Sequence, residues 1–151
     1  MIDVSFDIDK AEVFGEVAKT TAYVGAHKTE GEVGNYESIS TTDENSEMLE
    51  RFWTESEVAV RDALKRYVKE TEDSEDKFSI TLSLSDTFRV KLKESIKKSL
   101  FSFFVLNITA KWFGITNKPE VEGYGAAAKD ALVGAQEMIV YKGAPERPTY
   151  E

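Results

Sequence analysis

The stretch Met48-Leu49-Glu50-Arg51-Phe52-Trp53-Thr54-Glu55-Ser56-Glu57-Val58-Ala59-Val60-Arg61-Asp62-Ala63-Leu64-Lys65-Arg66-Tyr67-Val68 decides the fold class. Met48, Leu49, Phe52, Trp53, Ser56, Ala59, Val60, Ala63, Leu64, Tyr67 and Val68 follow the 3.6-residue period of an α-helix and form one continuous stripe. Charged residues such as Glu50, Arg51, Glu55, Glu57, Arg61 and Asp62 fill most of the other positions. Glu57 and Arg61 form a favourable pair four apart, while Arg61 and Lys65 form a like-charge pair. A helix with so wide an apolar stripe must bury it against other elements.

After this helix, Thr71 to Lys77 reads as an acidic turn. Phe78, Ile80, Leu82 and Leu84 then alternate with Ser79, Thr81 and Ser83, the period-two pattern of a half-buried strand. A lone strand leaves backbone groups unpaired, so it needs a partner. The candidates are Val4-Ser5-Phe6, the long loop over 28–43, or another subunit. Ser85 or Asp86 starts a third helix to about Phe113, with Phe88, Leu92 and Ile96 inward and Gly114 at C′. Its second half, Leu100 to Leu106, is apolar nearly all round, which places it at the centre of the fold or in a subunit interface.

Asn117-Lys118-Pro119-Glu120 opens a fourth helix, with Asn at N-cap, Pro in the first turn and Glu at N3. Val121, Tyr124, Ala128, Ala131, Leu132, Ala135, Met138 and Ile139 form its apolar face. Gly123, Gly125 and Gly134 with Ala126–Ala128 make it slim enough for close approach of another helix. Gly143 and Pro145 end it, and 144–151 form an extended tail. Upstream of the quoted stretch, Val13, Phe14, Val17, Ala18, Thr21 and Val24 predict a first helix over Asp9–His27, capped by Asp7 or Asp9. The polar segment 28–43 predicts a long loop. The expected fold is mainly α: a single domain over 1–151, an irregular four-helix bundle with one or two short β-strands and an extended C-terminal tail. The expected core is Val17, Leu49, Phe52, Ala59, Leu64, Leu92, Ile96, Leu100, Phe103, Val121, Tyr124, Leu132 and Ile139.

The chain has 151 residues, no Cys, one His, and 28 Asp+Glu against 19 Lys+Arg, for a net charge of -9. Without cysteine there is no disulfide framework, thiolate nucleophile or zinc finger. A single imidazole excludes sites built on two. The acidic balance argues against a whole-surface nucleic-acid binder and against adsorption to an anionic membrane. Met1 to Asp7 lacks the basic start and apolar run of a signal peptide. Leu100–Ile108 falls short of the roughly 20 residues of a membrane span. The expectation is a cytoplasmic protein or a component of an assembly built in the cytoplasm.

Few residues invite chemistry. His27 sits where the first helix should end, and a cation there suits the helix dipole. The pairs Asp7–Asp9 and Asp43–Glu44 lack a calcium-loop frame and read as caps and turns. Gly31 and Gly34 lack the Lys-Ser/Thr of a phosphate loop, and Gly123-Tyr124-Gly125 lies inside a helix pattern. No catalytic, cofactor-binding or metal-binding residue is assigned, and no cofactor is expected. Arg89, Lys93 and Lys97 mark a basic patch, flanked by Lys91 and Lys98 and opposed by Glu94 alone. No aromatic interleaves with these cations, so a solvated face or an acidic protein partner fits better than single-stranded nucleic acid. Trp53, Phe101, Phe103, Phe104, Trp112 and Phe113 exceed what one narrow stripe can hide; a large core takes most of them, and the remainder points to a subunit interface. The candidate interface residues are Phe78, Ile80, Leu82, Phe101, Phe104, Trp112, Arg147 and Tyr150.

Four features carry a resemblance in layout. They are the amphipathic helix ending Ala63-Leu64-Lys65-Arg66-Tyr67, the strand Phe78–Leu84, the apolar helix ending Thr109-Ala110-Lys111-Trp112-Phe113, and the helix and tail from Ala131-Leu132 to Pro145-Glu146-Arg147-Pro148. In these the chain resembles tailed-phage head–tail connector (adaptor) proteins over about two-thirds of its length. The first helix and the 28–43 loop depart from that layout. The resemblance implies a non-enzymatic virion or prophage component that forms a ring-like homo-oligomer and binds portal and tail or stopper proteins. It implies cytoplasmic assembly followed by residence in the virion, with an acidic lumen along which DNA slides without sticking. The same composition also fits a small acidic helical adaptor or inhibitor acting as a monomer or dimer.

Overall fold

A computed structural model of the chain describes residues 1–28 and 45–141. Strand β1 (Ile2–Asp9) leads into helix α1 (Lys10–Lys28). Helix α2 (Ser46–Ala63) is followed by strands β2 (Val68–Asp73) and β3 (Lys77–Leu84), then by α3 (Lys93–Thr116) and α4 (Val121–Val140). The protein is mainly α; the described residues form four α-helices and a small antiparallel sheet in the order β1-β3-β2. The sheet has three strands where the sequence suggested one or two.

β3 finds its partners within the chain. β1 runs antiparallel to it from Ile2 opposite Leu84 to Asp9 opposite Lys77, and β2 pairs along its other edge. The alternation that makes β3 a strand is matched in β1, where Val4, Phe6 and Ile8 are buried and Asp3, Ser5, Asp7 and Asp9 are exposed. β2 reads Val-Lys-Glu-Thr-Glu-Asp and has no such alternation. It is an edge strand held by backbone pairing, with a register irregularity between Val68 and Glu70. The expected acidic turn therefore shrinks to Ser74–Asp76, and Thr71–Asp73 belong to β2.

The helix boundaries moved for local reasons. The α2 stripe continues in sequence to Val68, but the helix stops at Ala63. A turn closed by Tyr67 N donating to Leu64 O (2.9 Å) feeds β2, and Ser83 N donates to Tyr67 O (2.7 Å). Asp9 caps α1 by accepting from Glu12 N (3.2 Å). Ser85 and Asp86 do not open α3. Ser85 Oγ accepts from Thr87 N in a turn, and a 3-10 turn over Val90–Leu92 precedes the α-helix. α3 runs through Gly114 to Thr116. Asn117 stands at the N-cap of a 3-10 turn, Lys118–Glu120, without a side-chain capping bond, so the expected capping box is not formed. α4 ends at Val140, before Gly143.

α3 is the central element, packed against α1, α2, α4 and β1. It runs back along β3, bringing the Phe104 ring to 5.4 Å from Phe78. Trp53, 1% exposed, lies 4.5 Å from Phe104 and 6.1 Å edge-on from Phe14, so its indole joins α2 to α3 and α1. Of the expected core, Val17, Leu49, Phe52, Leu64, Ile96, Leu100, Phe103 and Ile139 are buried, and Ala59, Leu92, Val121, Tyr124 and Leu132 are half-buried against them. α4 meets α3 through Ala128, Ala135 and Ile139. The glycines do not serve this approach. A Cβ on Gly123, Gly125 or Gly134 would meet nothing within 4 Å among the described residues. Tyr124 packs edge-on to Phe113 at 5.2 Å, and burial, reinforced by Glu120, pushes its phenol up.

By length and composition Val90–Thr116 could cross a membrane, although the sequence suggested too short a run. Here Ile96, Leu100, Phe103, Phe104, Ile108, Trp112 and Phe113 are buried in the chain's own core, which accounts for part of the apolarity, while Phe101, Val105 and Leu106 are half-buried and Val90 and Ile115 are exposed.

Candidate interaction surfaces

Phe78, Ile80, Leu82, Phe104 and Trp112, expected to face another subunit, are instead buried at 5% exposure or less within this chain. β3 is the middle strand and α3 the central helix, so both spend their apolar residues on the internal core. Phe101 is half-buried against that core. Arg147, Tyr150, the 144–151 tail, the Asp43–Glu44 pair and residues 29–43 of the loop lie outside the described residues, as does the His27 side chain. Lys28 belongs to α1.

The carboxylates of β1 are structural partners. Asp7 Oδ1 accepts from Ser79 Oγ (2.7 Å), and its other oxygen lies 3.7 Å from Lys77 Nζ. Asp9 caps α1. Asp3 accepts from Lys69 Nζ (2.6 Å), and this hydrogen bond with its charge attraction holds the lysine's pKa up. Between the helices, Lys10 Nζ bonds Glu50 (2.8 Å) and lies 5.7 Å from the centre of a Trp53 ring. Asn107 donates to Ser56 Oγ (2.8 Å), which donates to Phe52 O (2.9 Å). Glu55 takes Lys111 (2.9 Å) and Arg51 (3.3 Å), and the Lys111 hydrogen bond is the main cause of its lowered pKa. Among the described residues no three carboxylate or histidine side chains group to hold a metal ion.

Three surface regions stand apart from this packing. At the C-terminal half of α4, Val133, Val140 and Tyr141 are 40%, 54% and 49% exposed. Open grooves of about 340 and 200 Å³ flank Tyr67 and Val140, the second also lined by Leu84, Phe88 and Ile139. A third, of about 440 Å³, runs beside Leu92, Gly134, Met138 and Tyr141. The second region is basic. Lys91, Lys93, Lys97 and Lys98 are all exposed where α3 begins, beside Arg89. The third is acidic. Glu70, Glu72, Glu75 and Asp76 are exposed on β2 and the β2–β3 turn, and a polar trough of about 180 Å³ lies between Glu70, Glu72, Asp7 and Ser79.

No family model matches the chain, and no curated protein or solved structure shows significant similarity to it. The basic region was evident in the sequence. The apolar end was missed, although Val133 and Val140, seven apart and off the buried stripe of α4, are the signal that could have found it.

Proposed function

We propose that this chain is a non-enzymatic structural subunit that works by assembling with copies of itself and with other proteins. The layout resembles the head–tail connector proteins of tailed phages, so the reading extends to a ring-forming neck component. In that setting its partners are portal and tail or stopper proteins, and it resides in the virion. The observation that carries the proposal is the apolar end of α4. Val133, Val140 and Tyr141 are exposed together around grooves that also reach Tyr67, Phe88 and Met138. Grouped apolar side chains on a surface, especially with Tyr and Met among them, favour protein contacts.

Size-exclusion chromatography with light scattering tests this. The wild-type chain is expected as an oligomer, and Val140→Ser combined with Tyr141→Ser shifts it toward smaller species while its far-ultraviolet circular dichroism spectrum stays that of the folded chain. An unchanged mass for the double variant would remove this surface from the assembly, and a strictly monomeric wild type would overturn the reading.

A further inference from the structure

The two charged regions sit at opposite ends of the sheet. β3 is eight residues long, about 24 Å from end to end at the usual rise. At one end the β2–β3 turn carries exposed Glu75 and Asp76, and exposed Glu72 and Glu70 follow along β2. At the other end β3 finishes at Leu84, the chain turns through Ser85–Phe88, and α3 opens on Lys93 with Lys97 and Lys98 one turn further on. α3 then runs back toward the acidic end, where Phe104 meets Phe78, so its lysines stay at the far end.

The basic end is also electrostatically unsettled. The amino end of a helix carries positive partial charge, so lysines there are disfavoured. Lys91, Lys93, Lys97 and Lys98 make no ion pair among the described residues, and neither do Glu72, Glu75 and Asp76. Each end therefore gains from a surface of the opposite sign, and each copy of the chain offers one of both.

We propose that successive copies join head to tail, the acidic β2–β3 end of one docking on the basic start of α3 of the next. This rests on the self-assembly reading above and gives it a direction. Contacts between two different surfaces propagate into rings when the rotation closes. A polyanion such as duplex DNA offers the same sign of charge. The chain's net charge of -9 opposes the approach of DNA and of a second copy alike, but only a second copy also offers a basic end to the acidic β2–β3 end, so that both charged regions are used.

Charge reversal tests the proposal by sedimentation velocity at low salt. One variant carries Lys93→Glu, Lys97→Glu and Lys98→Glu; the other carries Glu72→Lys, Glu75→Lys and Asp76→Lys. All six residues are exposed, and circular dichroism verifies that each variant folds. Each variant alone is expected to lose association by roughly a hundredfold or more, since like charges face each other at the junction. Mixing the two restores it, and so does placing both reversals in one chain. A wild type that assembles while both variants assemble equally well would overturn the head-to-tail contact and leave the self-assembly reading standing. A wild type that stays monomeric would overturn both. Intact assembly in the lysine variant together with lost binding of a short DNA duplex would assign the basic end to nucleic acid instead.

Discussion

Replacing Trp53 with alanine removes the side chain on which three helices converge. The indole is 1% exposed, stacks at 4.5 Å on Phe104, meets Phe14 edge-on at 6.1 Å and lies beneath Lys10. Truncation of a buried Trp costs about 3–5 kcal/mol, which includes the lost transfer energy and the cavity left behind. Aromatic pairs contribute roughly 0.5–1.5 kcal/mol each beyond buried area, so two lost pairs favour the upper part of that range. Against a total stability of about 5–15 kcal/mol the loss is large. At about 2–4 °C per kcal/mol for a chain of this size, the melting temperature should fall by roughly 6–20 °C. Thermal and urea unfolding followed by far-ultraviolet circular dichroism measures it. Trp53→Phe, which keeps a ring against Phe104, should cost clearly less. Val58→Ala, at a position 55% exposed, should stay within about 0.5 kcal/mol of wild type. A Trp53→Ala protein within about 1 kcal/mol of wild type would refute the placement of this indole at the junction of α1, α2 and α3.

Thr109 is fully buried and its hydroxyl has no hydrogen-bond partner among the described residues, so Thr109→Val should be neutral or raise the urea midpoint by the equivalent of up to about 2 kcal/mol. Gly125 lies inside α4 with open space where a Cβ would project. Gly125→Ala should therefore stabilise by about 0.5–1 kcal/mol, read as a higher melting temperature. Glu55 has a pKa lowered from the usual 4.5, mainly by its Lys111 hydrogen bond. Its contribution is thus present above the unfolded value and is lost as the pH falls through the lowered folded one. Because the carboxylate is 38% exposed, Glu55→Gln should cost no more than about 1 kcal/mol at pH 7. That deficit should close in acid when urea midpoints are compared across pH.

Much of the helical framework was legible because its stripes are long. The run from Leu49 to Val60 and the apolar second half of α3 state their burial in the sequence itself. β3 was equally legible, since Phe78, Ile80, Leu82 and Leu84 alternate without a break. Its destination was not. One partner, Ile2–Asp9, does alternate, and Val4-Ser5-Phe6 was among the candidates; the other, Val68–Asp73, has no apolar alternation at all. Edge strands are held by backbone bonds that leave little trace in side-chain pattern. Phe78, Ile80 and Leu82 looked available to a partner because the packing of the sheet's apolar face on the internal core, where Phe78 meets Phe104 of α3, is a tertiary contact with no local sequence signal. The end of α2 was hidden for a different reason, because Leu64 and Tyr67 keep helical spacing through a turn. The basic start of α3 was visible as a charge run. Its opposition to the acidic β2–β3 end became visible only once β3 placed the two toward opposite ends of the sheet.

The most direct test of the account is native mass spectrometry of the wild-type chain over a concentration series at low and moderate salt. Self-assembly through complementary ends predicts one defined oligomer of many copies at low salt, giving way to smaller species as salt screens the junctions. A single monomer peak at every concentration and salt would contradict it.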